Sequence, residues 1–555
     1  MEPRPGFEPG TPASLSGLGV RLVPRRCSNR TELPGLGRGS ILIDCFVFLR
    51  VFFSVFLFRC AYFYKEACFN GYGMSELGIT VKKSENFSEW YSQVLLKADL
   101  VDLRYNVQGF IVHRPWIMRI IKAIYRFFEE ELERTGHEPV LFPLVIPEEN
   151  FEREKEHVEG FKPEVFWVTE AGDEKLERRL ALRPTSETAF YYMYSYWIQS
   201  WRDLPLKLYQ SVSVYRYEKN TRPLIRGREF LWIEAHDAFA THEDALRQIE
   251  EDMENSRRVI WEKLGIPFLF LKRPHWDKFM GAEDTYAADT LMPDGRVLQI
   301  SSTHDLGQRF AKAFDVKFVD RDGEQKYVWQ TCYGPGIWRI AAALIAVHGD
   351  DKGLVLPFSV APIQVVIIPI YYKEEDKAAV MEKAGWVREV LAKAGYRVFI
   401  DNREERTPGW KFNDWELKGV PVRVEIGKKE VSQGFVTVFR RDLRKRERIE
   451  DSRLLERVRE LEVEILETLK ERAKRFFEEN IVEAKTREEV EKALRERKMV
   501  KMPFCGREEC AEDLKEATDG GKVRGTPLGF KEGDYGKCAW CGRPARQIVY
   551  VAKSY

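Results

Sequence analysis

The sequence predicts an α+β multi-domain protein. It should hold a mainly antiparallel β-sheet domain, then a compact α/β domain, then a small cysteine-bearing α/β domain at the C-terminus. Three observations carry this expectation. The chain has 555 residues, too many for one ordinary hydrophobic core. Its strand-like segments outnumber the helical ones that a parallel sheet would need as crossovers. Four cysteines close the chain as two spaced pairs. The composition, 44% hydrophobic, 13% aromatic and 32% charged, is that of a globular chain and excludes a disordered, collagenous or multispan membrane protein.

Residues 1–73 differ from the rest. They carry nine Lys/Arg against five Asp/Glu, so the chain total of 89 basic and 88 acidic residues leaves 80 and 83 for the other 482. They also hold Cys27, Cys45, Cys60 and Cys68, and a Pro/Gly/Ser-rich stretch (1–40) running into the apolar segment 41–64. Asp44, Arg50 and Arg59 interrupt that segment, and no apolar run reaches the roughly 18–20 residues a membrane span needs. The insertion cost of a central arginine, about 2.5–3.5 kcal/mol, weighs further against a span. Gly-Phe-Glu-Pro-Gly at 6–10 is how one frame of a tRNA T-arm consensus reads. We therefore expect 1–73 to be a non-native leader, with translation starting at Met74 where amphipathic globular sequence begins.

From Met74 the elements follow in order. Helix-period segments dominate 86–135, notably 117–136 with apolar residues at three and four spacing and Gly136 as a stop. Strand-like runs follow at 140–146, 204–218, 229–240 and 296–304, with a hairpin signal at Asp294-Gly295. A boundary falls near Pro357–Pro362. Beyond it, 363–370, the helix 374–395, 396–401 and 420–427 give the β-α-β-β alternation of an α/β domain. Residues 441–498, nearly all charged with Leu and Val at helical spacing, read as a solvated connecting helix. The domains are expected at 74–361, 362–465 and 466–555.

Two constellations carry chemistry. Cys505-x4-Cys510 and Cys538-x2-Cys541 offer four thiolates, which satisfy the tetrahedral preference of Zn²⁺ and leave no position open for water, so a structural zinc is expected. The second is Val214–Glu218, a loop, then Arg226–Phe239. A fixed guanidinium beside a carboxylate, a loop with further arginines and an aromatic re-entering a strand make a nucleotide site without a P-loop, because Arg216 can fork onto a phosphate and Phe230 can stack on a base. Period two puts Phe230, Trp232, Glu234, His236 and Ala238 on one face, and Leu231, Ile233, Ala235 and Phe239 on the other, with Asp237 the exception. A polar pair on an aromatic face is costly unless it has partners or a task.

Arg216 and Glu218 followed by Arg226-x3-Phe230 resemble the second motif of class II aminoacyl-tRNA synthetases. The helix and strand ending at Pro143 resemble the first motif, which builds a dimer interface, and 334–345 (GPGIWRIAAALI) resembles the third. LRPTSET (182–188), 281–310, 407–427, the four-cysteine tail and the terminal Ser-Tyr narrow the resemblance to prolyl-tRNA synthetases of the archaeal and eukaryotic type, over essentially all of 74–555.

This resemblance implies ATP-dependent attachment of L-proline to proline tRNA through a prolyl-adenylate. Thr185, Glu187, Trp232, Glu234, His236 and His304 would form the proline pocket, Glu187 accepting the N–H donors of the prolinium. Arg216 and Arg339 would be catalytic, on the α- and γ-phosphates. Glu218 would lie near the adenine amine, Phe230 would stack, and Gln299 and Ser302 would lie near the ribose and phosphates. Arg226 and Arg228 share the loop, and only one of them is expected to touch phosphate. The resemblance also implies Mg²⁺ with ATP, a class II anticodon-binding domain at 362–440 with Lys411, Glu416 and Arg423 as contacts, and a C-terminal carboxylate on Tyr555 near the catalytic domain. A homodimer in the cytoplasm, away from membranes, is expected.

Two departures stand out. Trp338 precedes Arg339 where the class usually has an acid, leaving the arginine's bracing partner open, and Ile337 stands where some relatives carry a hydroxyl. Only about a hundred residues separate Phe230 from Gly334 and they read as continuous core. No editing domain in cis is therefore expected, and correction of misactivated alanine or cysteine falls to a separate protein. The alternatives are a class II enzyme for threonine, glycine, serine or histidine, or a non-catalytic tRNA-binding paralogue, which would be expected to lose the phosphate arginines. Cys332 has no role. N-terminal sequencing of the native protein is expected to begin at Met74, and a read beginning at Met1 would contradict the leader assignment.

Overall fold

The computed structural model describes residues 78–155 and 164–555; the expected leader and its apolar segment lie outside them. Among the described residues no helix is long and apolar enough to cross a membrane.

The first unit begins with helices α1 (Phe87–Lys97) and α2 (Pro115–Arg134). Proline at the first turn of α2 loses no intrahelical bond, and Ile117, Ile120, Ile121, Ile124, Phe128 and Leu132 make its buried stripe. Gly136, at φ +86°, ends it as the sequence signalled. After β1 (Glu138–Pro139) and helix α3 (Glu187–Trp197) come the long strands β2 (Leu206–Tyr215) and β3 (Glu229–Phe239). Helix α4 (His242–Ser256) follows, capped by Thr241, whose side chain accepts from Asp244 N. Strands β4 (Leu269–Lys272), β5 (Asp284–Leu291), β6 (Val297–Gly307) and β7 (Trp329–Tyr333) then lead to α5 (Ile337–His348). The segment between Phe230 and Gly334 is thus mostly strands of one sheet with helices packed on them, plus a separate two-stranded hairpin of Lys317–Val319 and Gln325–Tyr327. The core is the face of this sheet covered by α2 and α5.

The second unit holds β8 (Val365–Pro369), α6 (Glu374–Lys393), β9 (Val398–Ile400), α7 (Pro408–Leu417), β10 (Val422–Ile426), β11 (Phe435–Arg440) and β12 (Lys445–Glu450). Its sheet order is β9-β8-β10-β11-β12, parallel over the first three strands and antiparallel after. Arg441, 1% exposed, ties this unit to the first: it grips Asp350 with two bonds of 2.7 and 2.6 Å and donates to Glu416 O at 2.9 Å. Removing one partner of such a buried pair typically costs about 3–5 kcal/mol.

Two expectations need correction. The run 140–146 is not one strand: only β1 and Val145–Pro147 pair, and between them the Phe142 backbone is held by side chains, its N–H donating to Gln210 and its carbonyl accepting from Arg183. Pro143 has no N–H for a ladder there. Residues 441–498 are not a single solvated helix but β12, helix α8 (Leu454–Glu479), β13 (Ile481–Glu483) and α9 (Arg487–Arg495). Leu454, Val458, Leu461, Ile465, Leu469, Ala473 and Phe477 bury one face of α8. The strand was masked by its charge, since β12 is a sheet edge, where charged side chains are favoured. The expected 465/466 boundary falls within α8.

Strands β14 (Met499–Phe504), β15 (Gly521–Pro527) and β16 (Gln547–Lys553), with helix α10 (Glu508–Ala517), complete the chain. They do not make a separate sheet. Through β15 on β4 they extend the first one to eleven strands, in the order β13-β14-β16-β15-β4-β5-β6-β7-β3-β2-β1.

Behind the central strands His137, Asp237 and Asp252 are buried together. His137 Nε2 lies 3.3 Å from Asp237 Oδ1, and Gln248 and Thr303 donate to Asp252 at 2.8 and 2.7 Å. Burial first, then the Asp237 charge, pushes the Asp252 carboxyl up to about 7 against the opposing pull of His137 and its two donors. The folded protein therefore keeps a proton that the unfolded chain releases near pH 4. This contribution is full at low pH and is lost as pH rises through about 7. Asp252→Asn is expected to flatten this fall in a denaturant titration and to exceed the parent's stability at pH 8; an unchanged pH slope would contradict it.

Candidate active site

One cavity of about 280 Å³ opens on the face of β3, β6 and β7. It is lined by Thr185, Glu187, Arg216, Glu218, Arg226, Phe230, Trp232, Glu234, His236, Gln299, Ser302, His304 and Arg339. Every residue expected to hold proline or ATP is therefore brought together except Arg228. Of the two loop arginines, Arg226 faces the cavity, whereas Arg228 donates to Glu218 O at 2.9 Å and to Gln108 Oε1 at 3.1 Å and stacks on Tyr217, pinning the loop. Gly227 between them passes so close to Trp338 that a Cβ would sit 2.6 Å from its ring.

One end of the cavity is cationic. Arg216, just beyond β2, donates to Pro184 O at 3.0 Å and lies over the rings of Phe230 and Trp232, each at 5.3 Å. Arg339, on the first turn of α5, donates to Ile225 O at 3.0 Å and Gln299 O at 3.2 Å. These carbonyls are the braces that the acid missing at Trp338 left open. Ile337 is fully buried and does not line the cavity. Among the described residues neither Arg216 nor Arg339 forms an ion pair. Burial, then the charges of Arg226 and Arg216, pulls Arg339 down to about 10. Arg226 does find counter-charge, on Glu218 at 3.0 Å, and it also donates to Tyr555 O at 3.1 Å. The Tyr555 ring is anchored by its hydroxyl donating to Asp294 at 2.7 Å.

The other end is a polar pocket with an aromatic rim. Alternation on β3 places Glu234 and His236 side by side, 3.3 Å apart. Glu234 accepts from Ser186 N (3.0 Å), Ser186 Oγ (2.5 Å) and Gln210 (2.7 Å). Burial pushes its carboxyl up, but the His236 bond and charge and the Ser186 and Gln210 donors outweigh it and leave it below the usual range. His236 moves the other way, since the Glu234 bond and the charges of Glu187, Glu234 and Asp237 overcome burial and raise it. Glu187, the first residue of α3, takes a short bond of 2.5 Å from Thr185 Oγ1. His304 is kept neutral, down at about 3, by burial and by the charges of Arg273 and His236; it bonds Thr285 Oγ1 at 2.9 Å and Ser302 Oγ at 3.0 Å.

Sequence reasoning missed several lining residues. Arg273, Asp277 and Phe279 lie just after β4 and in its loop to β5, outside any quoted motif, whereas Thr285 lies within the 281–310 segment but the resemblance gives it no role. Cys332 lines the cavity between His236 and His304, its register partners on β3 and β6.

At the chain's end Cys505, Cys510, Cys538 and Cys541 hold their sulfurs within 4.8 Å of one another, with 4.0 Å from Cys510 to Cys538 and 3.7 Å from Cys541 to Cys505. Thiolates placed tetrahedrally at about 2.3 Å from a zinc are about 3.8 Å apart, so the spacing fits that ion. In the second unit Lys411 donates to Asp401 O at 3.0 Å, and Arg423 pairs with Glu416 at 3.0 Å and Glu425 at 2.9 Å between the rings of Phe412 and Phe439. The charged ends of these three expected anticodon contacts are thus engaged within the domain.

Three family models match the chain: "tRNA synthetase class II core domain (G, H, P, S and T)" at 166–348, "Anticodon binding domain" at 364–461, and "Prolyl-tRNA synthetase, C-terminal" at 487–555. A proline-tRNA ligase of Thermofilum pendens is 82% identical over 482 residues, covering 87% of this chain and all of that one. The Pyrococcus abyssi ligase is 48% identical, covering 85% and 98%. The crystal structure of prolyl-tRNA synthetase from Cryptosporidium parvum, complexed with halofuginone and AMPPNP, superposes with a TM-score of 0.83 at 37% identity, covering 86% of this chain and all of that one. With this identity running over the whole length of its relatives, the chain belongs to the proline-tRNA ligases, class II aminoacyl-tRNA synthetases that charge proline tRNA.

Proposed function

We propose that the cavity makes prolyl-adenylate and passes its prolyl group to the 3′-terminal adenosine of proline tRNA, with the residue roles that follow. The observation that carries this is the pairing of two guanidinium groups held by carbonyls without an ion pair, Arg216 and Arg339, with a carboxylate-lined pocket in the same cavity. A polyanion belongs at one end and a cation at the other.

Glu187 receives the prolinium, its carboxylate held in place by the bond from Thr185 and facing the cavity beside Cys332. Glu234 is saturated by its donors and holds the wall, with His236, Trp232 and His304 against the ring. ATP lies with its adenine on Phe230, its amine toward Glu218, its ribose toward Gln299 and Ser302, and its phosphates on Arg216, Arg226 and Arg339. The proline carboxylate oxygen attacks the α-phosphorus, the bond to the bridging oxygen breaks, and pyrophosphate leaves. A ribose hydroxyl of the tRNA then attacks the prolyl carbonyl and AMP departs. No side chain becomes covalently attached, so the protein acts by positioning and by fixed charge. Class II synthetases use ATP with Mg²⁺, which neutralises phosphate charge when bound; Glu218 and Asp277 are acidic side chains on that side of the cavity.

The remaining assignments rest on the family and on particular features. The units 74–361, 362–465 and 466–555 serve catalysis, anticodon binding and zinc binding, the last through a structural Zn²⁺ on the four cysteines. Lys411, Glu416 and Arg423 belong to the anticodon face on resemblance alone. Exposed Leu141, Leu144 and Trp197 beside the first-motif segment suit a homodimer. The enzyme works in the cytoplasm. A ring-shaped pocket rejects smaller alanine only through lost contacts, about 1–3 kcal/mol, so hydrolysis of mischarged tRNA falls to a protein in trans.

Arg216→Ala is expected to abolish proline-dependent pyrophosphate exchange while circular dichroism stays native; near-normal exchange would refute the role of Arg216. Metal analysis is expected to give one zinc per chain, absent in Cys510→Ser with a lowered melting temperature. A metal-free native protein would remove the zinc assignment.

A further inference from the structure

Arg524 belongs to β15, in the C-terminal unit, and no motif draws attention to it. Its side chain is 7% exposed and grips Asp289 of β5 with bonds of 2.9 and 3.1 Å. Asp289, fully buried, is gripped again from the other side by Arg273, at 2.9 and 2.8 Å. The Arg273 guanidinium also donates to Arg524 O at 2.5 Å and to Gln299 Oε1 at 3.0 Å. Arg273 and Gln299 both line the active-site cavity. A continuous chain of charge-assisted bonds thus runs from the C-terminal unit to a side chain in the ATP end of the cavity.

The backbone is built to aim these groups. The register of β15 on β16 slips between Val523 and Gly525, so Arg524 is the bulged residue, and that of β5 on β6 slips between Ala288 and Asp289, opposite Gln299. Bulges re-aim side chains and recur beside active sites. Gly525, at φ +130°, lets β15 approach so closely that a Cβ there would sit 2.1 Å from Lys272 O. Two buried guanidinium groups share one buried carboxylate, with Asp277 at the rim 4.0 Å from each. Asp289 alone could hold Arg273, so the second arginine is not needed to neutralise it. What Arg524 adds is orientation, since it occupies Asp289 bidentately and fixes Arg273 through its own carbonyl.

We propose that Arg524 is a positioning residue for ATP: acting through Asp289 and Arg273, it holds the Gln299 amide in the orientation that receives the ribose. The C-terminal unit thereby sets nucleotide affinity without touching nucleotide. This rests on the assignment of Gln299 to the ribose.

The test uses pyrophosphate exchange with the full chain. Arg524→Met is expected to raise KM for ATP about tenfold, leave KM for proline within twofold and change kcat little, because a ribose contact made equally in ground and transition states is lost as binding. Arg524→Lys, which keeps a cation on Asp289 but not the fork, should fall between and covers the case where the methionine variant does not fold. Gln299→Met should raise KM for ATP similarly, and the double variant should be no worse than Gln299→Met alone. A silent Arg524 variant beside an effective Gln299→Met overturns the relay, as does an equal rise in KM for ATP and proline. If Gln299→Met is itself silent, the ribose assignment falls and takes the relay with it.

Discussion

The constraint on which this structure turns is positive charge held without a direct ion pair. Arg216 and Arg339 converge on one cavity, braced by the carbonyls of Pro184, Ile225 and Gln299 rather than by acids. A carbonyl orients a guanidinium without neutralising it. Two such groups beside Arg226 repel one another, and that repulsion, with burial, lowers Arg339. Folding pays for this arrangement elsewhere, through the apolar packing of α2 and α5 on the sheet. On the proposed assignment a bound polyphosphate would relieve it, and the energy stored in the free site would become selectivity for the nucleotide.

The sheet makes that convergence possible. Strands β3, β6 and β7 set Glu234, His236, Cys332 and His304 on neighbouring registers, so the polar pocket and the arginines face the same space from rigid elements. The same sheet continues into the C-terminal strands. Their contribution is therefore not confined to the cysteine cluster: Tyr555 O meets Arg226, and Arg524 meets Asp289. The end of the chain thus meets the cavity that its middle builds.

Much of this was legible in the sequence because the chemistry is local. Alternation along 229–239 placed Glu234 and His236 on one face, the spaced cysteines announced a four-sulfur cluster, and the family motifs carried most of the remaining expected residues that line the cavity. What escaped was long-range. Nothing near Arg273 or Arg524 reveals that strand pairing will bring them to a common carboxylate, 235 residues from Arg524 in the chain. The charged run 445–450 concealed an edge strand, and α8 hid its buried stripe in a background of Glu and Arg.

The most direct test of the central claim is a crystal structure of this enzyme with proline and a non-hydrolysable ATP analogue. The account predicts phosphate oxygens within hydrogen-bond distance of Arg216 and Arg339, with the prolinium nitrogen on Glu187. Phosphates lying away from both arginines, or a nucleotide bound outside this cavity, would contradict it.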